Sequence, residues 1–171
     1  MISKKIILIG DFATGKTSLI HRYVDNQFSD TYLSTIGVKI SRKNIVLKNE
    51  TVQGLIWDIE GGTETKPVNT IYLKGAHGCI IVTDITREET IENIVTYLNT
   101  IEEVVPSVPI ILVLNKCDKT EDIIANKILE QVKEQYREKV KNVYLGSAKS
   151  GKGVEELFYT LSQHMIDSKK D

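Results

Sequence analysis

Cysteine, proline and tryptophan are scarce in this chain of 171 residues, at two, three and one. The cysteines, Cys79 and Cys117, form no CxxC pair, which excludes a disulfide framework and a cysteine-based metal site. Cys79 lies in an apolar run and reads as a small buried hydrophobe. Net charge is also missing: at -1 the chain has no basic excess, so no nucleic-acid partner is expected. Long hydrophobic runs are absent too. The first, Ile6-Ile7-Leu8-Ile9, is broken at once by Gly10 and Asp11, too short for a signal peptide or a membrane span. Residue 2 is not glycine and the tail Asp167-Ser168-Lys169-Lys170-Asp171 holds no cysteine, so no lipid anchor is expected. The three histidines, His21, His77 and His164, share no ligand spacing, which argues against a zinc site. What remains is a cytoplasmic protein with one domain over residues 1–171, 41% hydrophobic and 26% charged.

Within that domain, strand-like and helix-like segments alternate. Strands are predicted at residues 6–9, 38–47, 52–58, 78–83, 110–114 and 143–145, with the second and third joined as a hairpin. Helices are predicted at 18–24, from a capping box at Thr86-Arg87-Glu88-Glu89 through Ile91, Ile94, Val95, Leu98 and Ile101, and at 123–139 and 154–165. Polar connections occupy 25–37 and 59–70. The alternation implies an α/β fold, a six-stranded mostly parallel sheet with helices on both faces.

The chemistry begins at Gly10-Asp11-Phe12-Ala13-Thr14-Gly15-Lys16-Thr17, set between a strand and a helix. That is the setting of a phosphate-binding loop: glycines permit the bend, and successive N–H groups face an anion at the helix start. Lys16 would meet the outer phosphates, and the Thr17 hydroxyl would bind Mg²⁺. Asn115-Lys116-Cys117-Asp118 follows the fifth strand, at the edge where α/β folds place ligand groups. Asp118 can accept from N1–H and the 2-amino group of guanine, neither of which adenine offers. Lys116 can lie along the base, Asn115 can brace neighbouring loops, and Ser147-Ala148-Lys149 can bring an N–H to guanine O6. Asp58 could hold a water on Mg²⁺, Gly61 could offer its N–H to a γ-phosphate, and Thr35 could serve both the ion and the phosphate.

In their order and spacing these stretches resemble the Ras superfamily of small GTPases, nearest to its Rab-like members, over nearly the whole chain. Asp25-Asn26-Gln27-Phe28-Ser29-Asp30, Ser34-Thr35-Ile36-Gly37-Val38, Ile56-Trp57-Asp58 and Tyr72-Leu73-Lys74-Gly75-Ala76-His77-Gly78 carry the resemblance further. The Asp11-Phe12 and Ile59-Glu60-Gly61-Gly62 variants look like single-domain prokaryotic members. The resemblance implies a P-loop G domain with one antiparallel strand, the second, and GTP/GDP and Mg²⁺ as ligands. It implies a nucleotide-binding set of Asp11, Phe12, Ala13, Thr14, Gly15, Lys16, Thr17, Ser18, Phe28, Thr35, Gly61, Asn115, Lys116, Asp118, Ser147, Ala148 and Lys149. The metal set is Thr17, Thr35 and, through water, Asp58. The catalytic set is Lys16, Thr35, Gly61 and Glu60. Switch segments are implied near 30–37 and 59–72. Effector, exchange factor and activator would bind there and at Ile40, Trp57 and Tyr72.

Three departures point to slow hydrolysis. Gly62 stands where the family has a water-orienting glutamine, Phe12 crowds the γ-phosphate position, and Glu60 adds a negative charge. The competing readings are a nucleotide-loaded scaffold that hardly turns over and an ATP-using P-loop enzyme, the latter disfavoured by Asp118.

Overall fold

The apolar runs become the strands of one sheet. The computed structural model describes residues 1–32 and 34–168. Leu33, inside the first implied switch, and residues 169–171 of the tail read for an anchor lie outside them. The strands are β1 (Ile2–Ile9), β2 (Val38–Val46), β3 (Thr51–Ile59), β4 (Gly78–Asp84), β5 (Ile110–Asn115) and β6 (Asn142–Leu145). They lie in the order β2-β3-β1-β4-β5-β6. Only β2 runs antiparallel to its neighbour; all other pairs are parallel. The loops after β1, β3, β4, β5 and β6 therefore gather at one edge, which is where the chemistry-bearing stretches lie.

Each parallel strand sends alternate residues to opposite faces. Ile6, Leu8, Ile80, Val82, Ile111 and Val113 pack under α1 (Lys16–Asp25) and α5 (Val154–Asp167). On that face the Tyr23 ring stacks on Phe158 at 3.9 Å. Ile7, Ile9, Ile81, Leu112 and Leu114 face α3 (Ile94–Val104) and α4 (Asp122–Tyr136). Between β4 and α3 lies the short α2 (Glu88–Glu92).

The region after β4 departs from its sequence reading. One helix was expected there; two form, interrupted at Asn93, whose side chain bonds Asp11. The Asn93 backbone stays right-handed, and the buried positions Thr90, Ile94, Tyr97, Leu98 and Ile101 keep helical spacing. The capping box does not form. The Thr86 hydroxyl and amide instead both bond Asp84 Oδ1, and Arg87 takes the cap position without a side-chain capping bond to the helix. Past the break the buried face consists of Ile94, Tyr97, Leu98 and Ile101, while Val95, expected inside, is 44% exposed. Elsewhere β1 starts before the apolar run, since Ile2 already pairs with Val52 on β3. The α4 helix ends at Tyr136, short of the expected 139.

Candidate functional site

β1 ends at Ile9, and the chain bends around the carboxyl edge of the sheet into α1. Gly15 sits at φ 96°, and its missing Cβ would lie 2.4 Å from Asn115 Nδ2, so this position needs glycine twice over. Ala13 also adopts the left-handed region, at φ 62°. For a residue with a Cβ that costs roughly 1–2 kcal/mol, so the loop is held against its preference. The carbonyls do the holding. Lys116 Nζ donates to Ala13 O and Asn115 Nδ2 to Thr14 O, each at 2.8 Å. With these carbonyls drawn outward, the N–H groups of residues 13–18 find no acceptor among the described residues. They line the start of α1 as an anion-binding nest.

Lys16 is buried against the same loop. Its Nζ donates to Asp11 O at 2.8 Å and Gly10 O at 3.3 Å. Burial lowers its pKa to about 8, with the charges of Asp58 and Asp11 opposing the shift. Just beyond it three oxygens from three segments converge. Thr17 Oγ1 lies 2.6 Å from both Thr35 Oγ1 and Asp58 Oδ2, and Thr35 Oγ1 donates to the same carboxylate at 3.2 Å. Asp58 Oδ1 is buried without a hydrogen-bond partner among the described residues. Burial pushes the Asp58 carboxyl above its ordinary range, against the hydrogen bond from Thr17 and the Lys16 charge. Hard oxygen donors with an orphaned carboxylate oxygen among them fit a small divalent cation such as Mg²⁺.

A cleft of about 260 Å³ runs from this cluster to the loops after β5 and β6. Its walls include Phe12, Ala13, Gly15, Lys16, Thr17, Ser18, Phe28, Thr35, Gly61, Asn115, Lys116, Asp118, Ala148 and Lys149. Three other residues of the implied binding set, Asp11, Thr14 and Ser147, stand behind the wall. Asp11 turns its carboxylate to Tyr97 Oη and Asn93 Nδ2, and Thr14 Oγ1 donates to Asp11 O. Ser147 Oγ donates to Asp118 Oδ1 at 2.7 Å, orienting that carboxylate. Arg22 of α1 donates from Nε to Ala148 O and from Nη2 to Lys149 O, each at 2.7 Å, and so fixes the last loop. Lys116 is held by Asp84 at 2.8 Å. Burial would raise the Asp84 carboxyl, but hydrogen bonds from Lys116 and Thr86 outweigh it and hold it below the usual range. Asp84 and Arg22 belong to none of the stretches singled out for chemistry in the sequence, and Tyr32, inside the first implied switch, was not named there. Only the fold brings them to the site.

The Ras family model matches residues 5–167. Rab-13 of Mesocricetus auratus is 35% identical over 95% of this chain and 79% of its own length. Rab-1 of Theileria parva is 35% identical over 95% of this chain and 74% of its own, and the GTP-binding protein YPTM1 of Zea mays 36% identical over 96% and 79%. The chain belongs to the Ras superfamily of small GTPases and is Rab-like.

In this small GTPase the segment after β3 lies against the phosphate loop. Gly62 N donates to Gly10 O at 3.1 Å, and Phe12 N donates to Gly62 O at 2.9 Å. Contact is so close that a Cβ on Gly61 would lie 2.6 Å from Phe12 Cα. A Cβ on Gly62 would meet Tyr97 Oη at 2.8 Å and Val68 Cγ2 at 3.2 Å. The Phe12 ring, 45% exposed, leans on Tyr32 with centroids 5.6 Å apart, joining the loop to the first switch across the cleft mouth.

Glu60 faces elsewhere. Its Oε1 pairs with Lys66 at 2.9 Å and its Oε2 accepts from Gly37 N at 3.1 Å. These bonds, that from Lys66 foremost, hold its carboxyl below the ordinary range. It lines a separate hollow of about 150 Å³ beside Tyr72 and not the cleft, so its placement joins the segment after β3 to Gly37 at the start of β2. On the outer surface Ile40 sits directly across from Trp57 in the β2–β3 pair, and the Trp57 and Tyr72 rings are 6.4 Å apart. The Lys5 ammonium covers the Trp57 ring at 3.7 Å. Among the described residues no helix is long and apolar enough to cross a membrane.

Proposed function

We propose that this small GTPase is a guanine-nucleotide switch with slow intrinsic hydrolysis. The observation that carries the reading is the meeting of Thr17, Thr35 and Asp58, from the phosphate loop's helix, the first switch and the end of β3, within 3.2 Å. Thr35 reaches this cluster only while the first switch is folded over the cleft, so a ligand bound there selects that conformation. Lys16 and the open N–H groups from Ala13 to Ser18 hold the phosphates. Phe28 packs against guanine, Asp118 and the Ala148 N–H read its edge, and Lys116 lies along its plane. Thr17, Thr35 and, through a water, Asp58 would hold Mg²⁺, which would supply positive charge to the phosphates. Gly61 meets the γ-phosphate from the second switch. No side chain at residue 62 can orient the attacking water, which is the reason for slow turnover. Effectors, exchange factors and activators read the two switches with Ile40, Trp57 and Tyr72.

A second reading, a nucleotide-loaded scaffold with negligible turnover, is favoured by one observation. The second switch is hydrogen-bonded to the phosphate loop from both sides of Gly62. Two measurements separate the readings: chromatography of the nucleotide that copurifies, with its hydrolysis rate in Mg²⁺, and hydrogen exchange in the GDP and GTP-analogue forms. A switch hydrolyses measurably and changes protection near 30–37 and 59–72. Unchanged protection with no hydrolysis leaves the scaffold, and copurifying adenine nucleotide removes both.

Binding should also depend on pH. With its pKa near 8 in the free protein, Lys16 is neutral above that pH, whereas phosphate favours the charged form. Binding then takes up a proton. GDP affinity should be flat below the free-protein value and fall by up to about tenfold per unit above it. Calorimetry in buffers of different ionisation enthalpy measures that uptake directly. Binding without proton uptake on the alkaline side would contradict the assignment of Lys16.

A further inference from the structure

Three successive carbonyls of the phosphate loop accept a side-chain donor each: Phe12 O from Arg87 Nη1 at 2.9 Å, Ala13 O from Lys116 and Thr14 O from Asn115. Lys116 and Asn115 come from the base-reading stretch. Arg87 comes from the cap of α2 and lies outside every stretch assigned to the nucleotide.

Its bond acts on one peptide. In a trans peptide the carbonyl and the following N–H point in opposite directions, so drawing Phe12 O outward turns the Ala13 N–H toward the cleft. Ala13 holds φ 62°, a conformation its Cβ disfavours, and a flip of this peptide would relieve it. Arg87 opposes that flip, and its own position is secured. Its N–H donates to Asp84 O, its carbonyl accepts from the Thr90 hydroxyl, and its Nε pairs with Glu89 at 3.0 Å. Asp84 is also the partner of Lys116, so two of the three carbonyl donors are anchored at the end of β4. Arg87 therefore sits against the outer turn of the loop, whose Phe12 and Ala13 line the cleft.

We propose that Arg87 is a positioning residue of the phosphate cradle, holding the peptide between Phe12 and Ala13 so that the Ala13 N–H faces the outer phosphates. The inference rests on the guanine-nucleotide reading of the cleft. Arg87 is not among the residues that line the cleft, so it acts through the loop.

The test measures equilibrium affinities of GDP and GMP, by competition with a fluorescent GDP, for wild type, Arg87→Ala and Arg87→Lys, with melting temperatures as a folding control. Arg87→Ala should weaken GDP by about tenfold and leave GMP nearly unchanged, because only the longer chain of phosphates reaches the affected N–H. Arg87→Lys should recover most of the loss, since an ammonium can still bond the Phe12 carbonyl. Arg87→Ala with wild-type GDP affinity overturns the proposal. So does an equal loss for GDP and GMP, the mark of general loosening. A wild-type chain that binds neither nucleotide removes the reading of the cleft itself, a result distinct from both.

Discussion

Asp118→Asn should weaken GDP binding by about 10³-fold and strengthen binding of xanthosine diphosphate by a similar factor. A carboxylate facing guanine accepts from both the N1–H and the 2-amino group. Asparagine keeps one acceptor and adds a donor. The fold decides which way that amide turns. Ser147 Oγ donates to Asp118 Oδ1, so the asparagine oxygen keeps this bond and the NH₂ is left facing the base. There it meets the 2-amino group of guanine, donor against donor, with both desolvated on binding. Xanthine carries a carbonyl at that position and accepts from it. Competition against a fluorescent GDP gives both affinities, and Asp118 is exposed in the free protein, so its melting temperature should barely move. Unchanged GDP affinity, or equal losses for both bases, would remove Asp118 as the base reader. A wild-type preference for ADP would do the same for the guanine assignment as a whole.

The parts of this site legible in the sequence are those whose chemistry is local. Gly10, Gly15, Lys16 and Thr17 work through backbone bend and helix start, and Asn115 to Asp118 through their place at a strand end. Both are short-range properties. The parts that were not legible depend on contacts across long stretches of chain. Asp11 is separated by 86 residues from Tyr97, and Phe12 by 75 from Arg87. Sequence spacing alone gave no reason to turn Asp11 away from the cleft, and periodicity could not show the interruption at Asn93. Val95 has helical spacing from Ile91 and Leu98, yet it faces outward, because the buried stripe runs through Thr90, Ile94, Tyr97 and Ile101. Glu60 beside Gly61 reads as a charge near phosphate; in the fold Lys66 and the Gly37 N–H claim it first. The sheet order needed no such contacts, because a hairpin followed by alternating helices and buried strands leaves few topologies.

Restoring a glutamine at residue 62 should fail as a single change and succeed only with a second. Gly62 is outside the left-handed region, so its backbone admits a side chain; space does not. The Cβ would lie 2.8 Å from Tyr97 Oη and 3.2 Å from Val68 Cγ2. Val68 can yield by a rotamer. Tyr97 cannot swing aside freely, because its hydroxyl donates to the buried Asp11 carboxylate. Gly62→Gln alone should therefore pull the second switch off the phosphate loop, breaking its bonds to Gly10 and Phe12, with little gain in single-turnover hydrolysis. Tyr97→Phe removes the obstructing oxygen while Asn93 still bonds Asp11 at 2.8 Å. The lost hydrogen bond should cost about 1–3 kcal/mol of stability, visible as a lower melting temperature. In the double variant the glutamine can sit beside the loop and orient water. Hydrolysis should then rise by roughly 10- to 10³-fold over wild type, while Tyr97→Phe alone changes nothing. The two changes thus couple, as expected for residues in contact. Full acceleration by Gly62→Gln alone would show that Tyr97 is no barrier. Wild-type hydrolysis already equal to that of the double variant would show that another group orients the water, and the slow-turnover reading would fall.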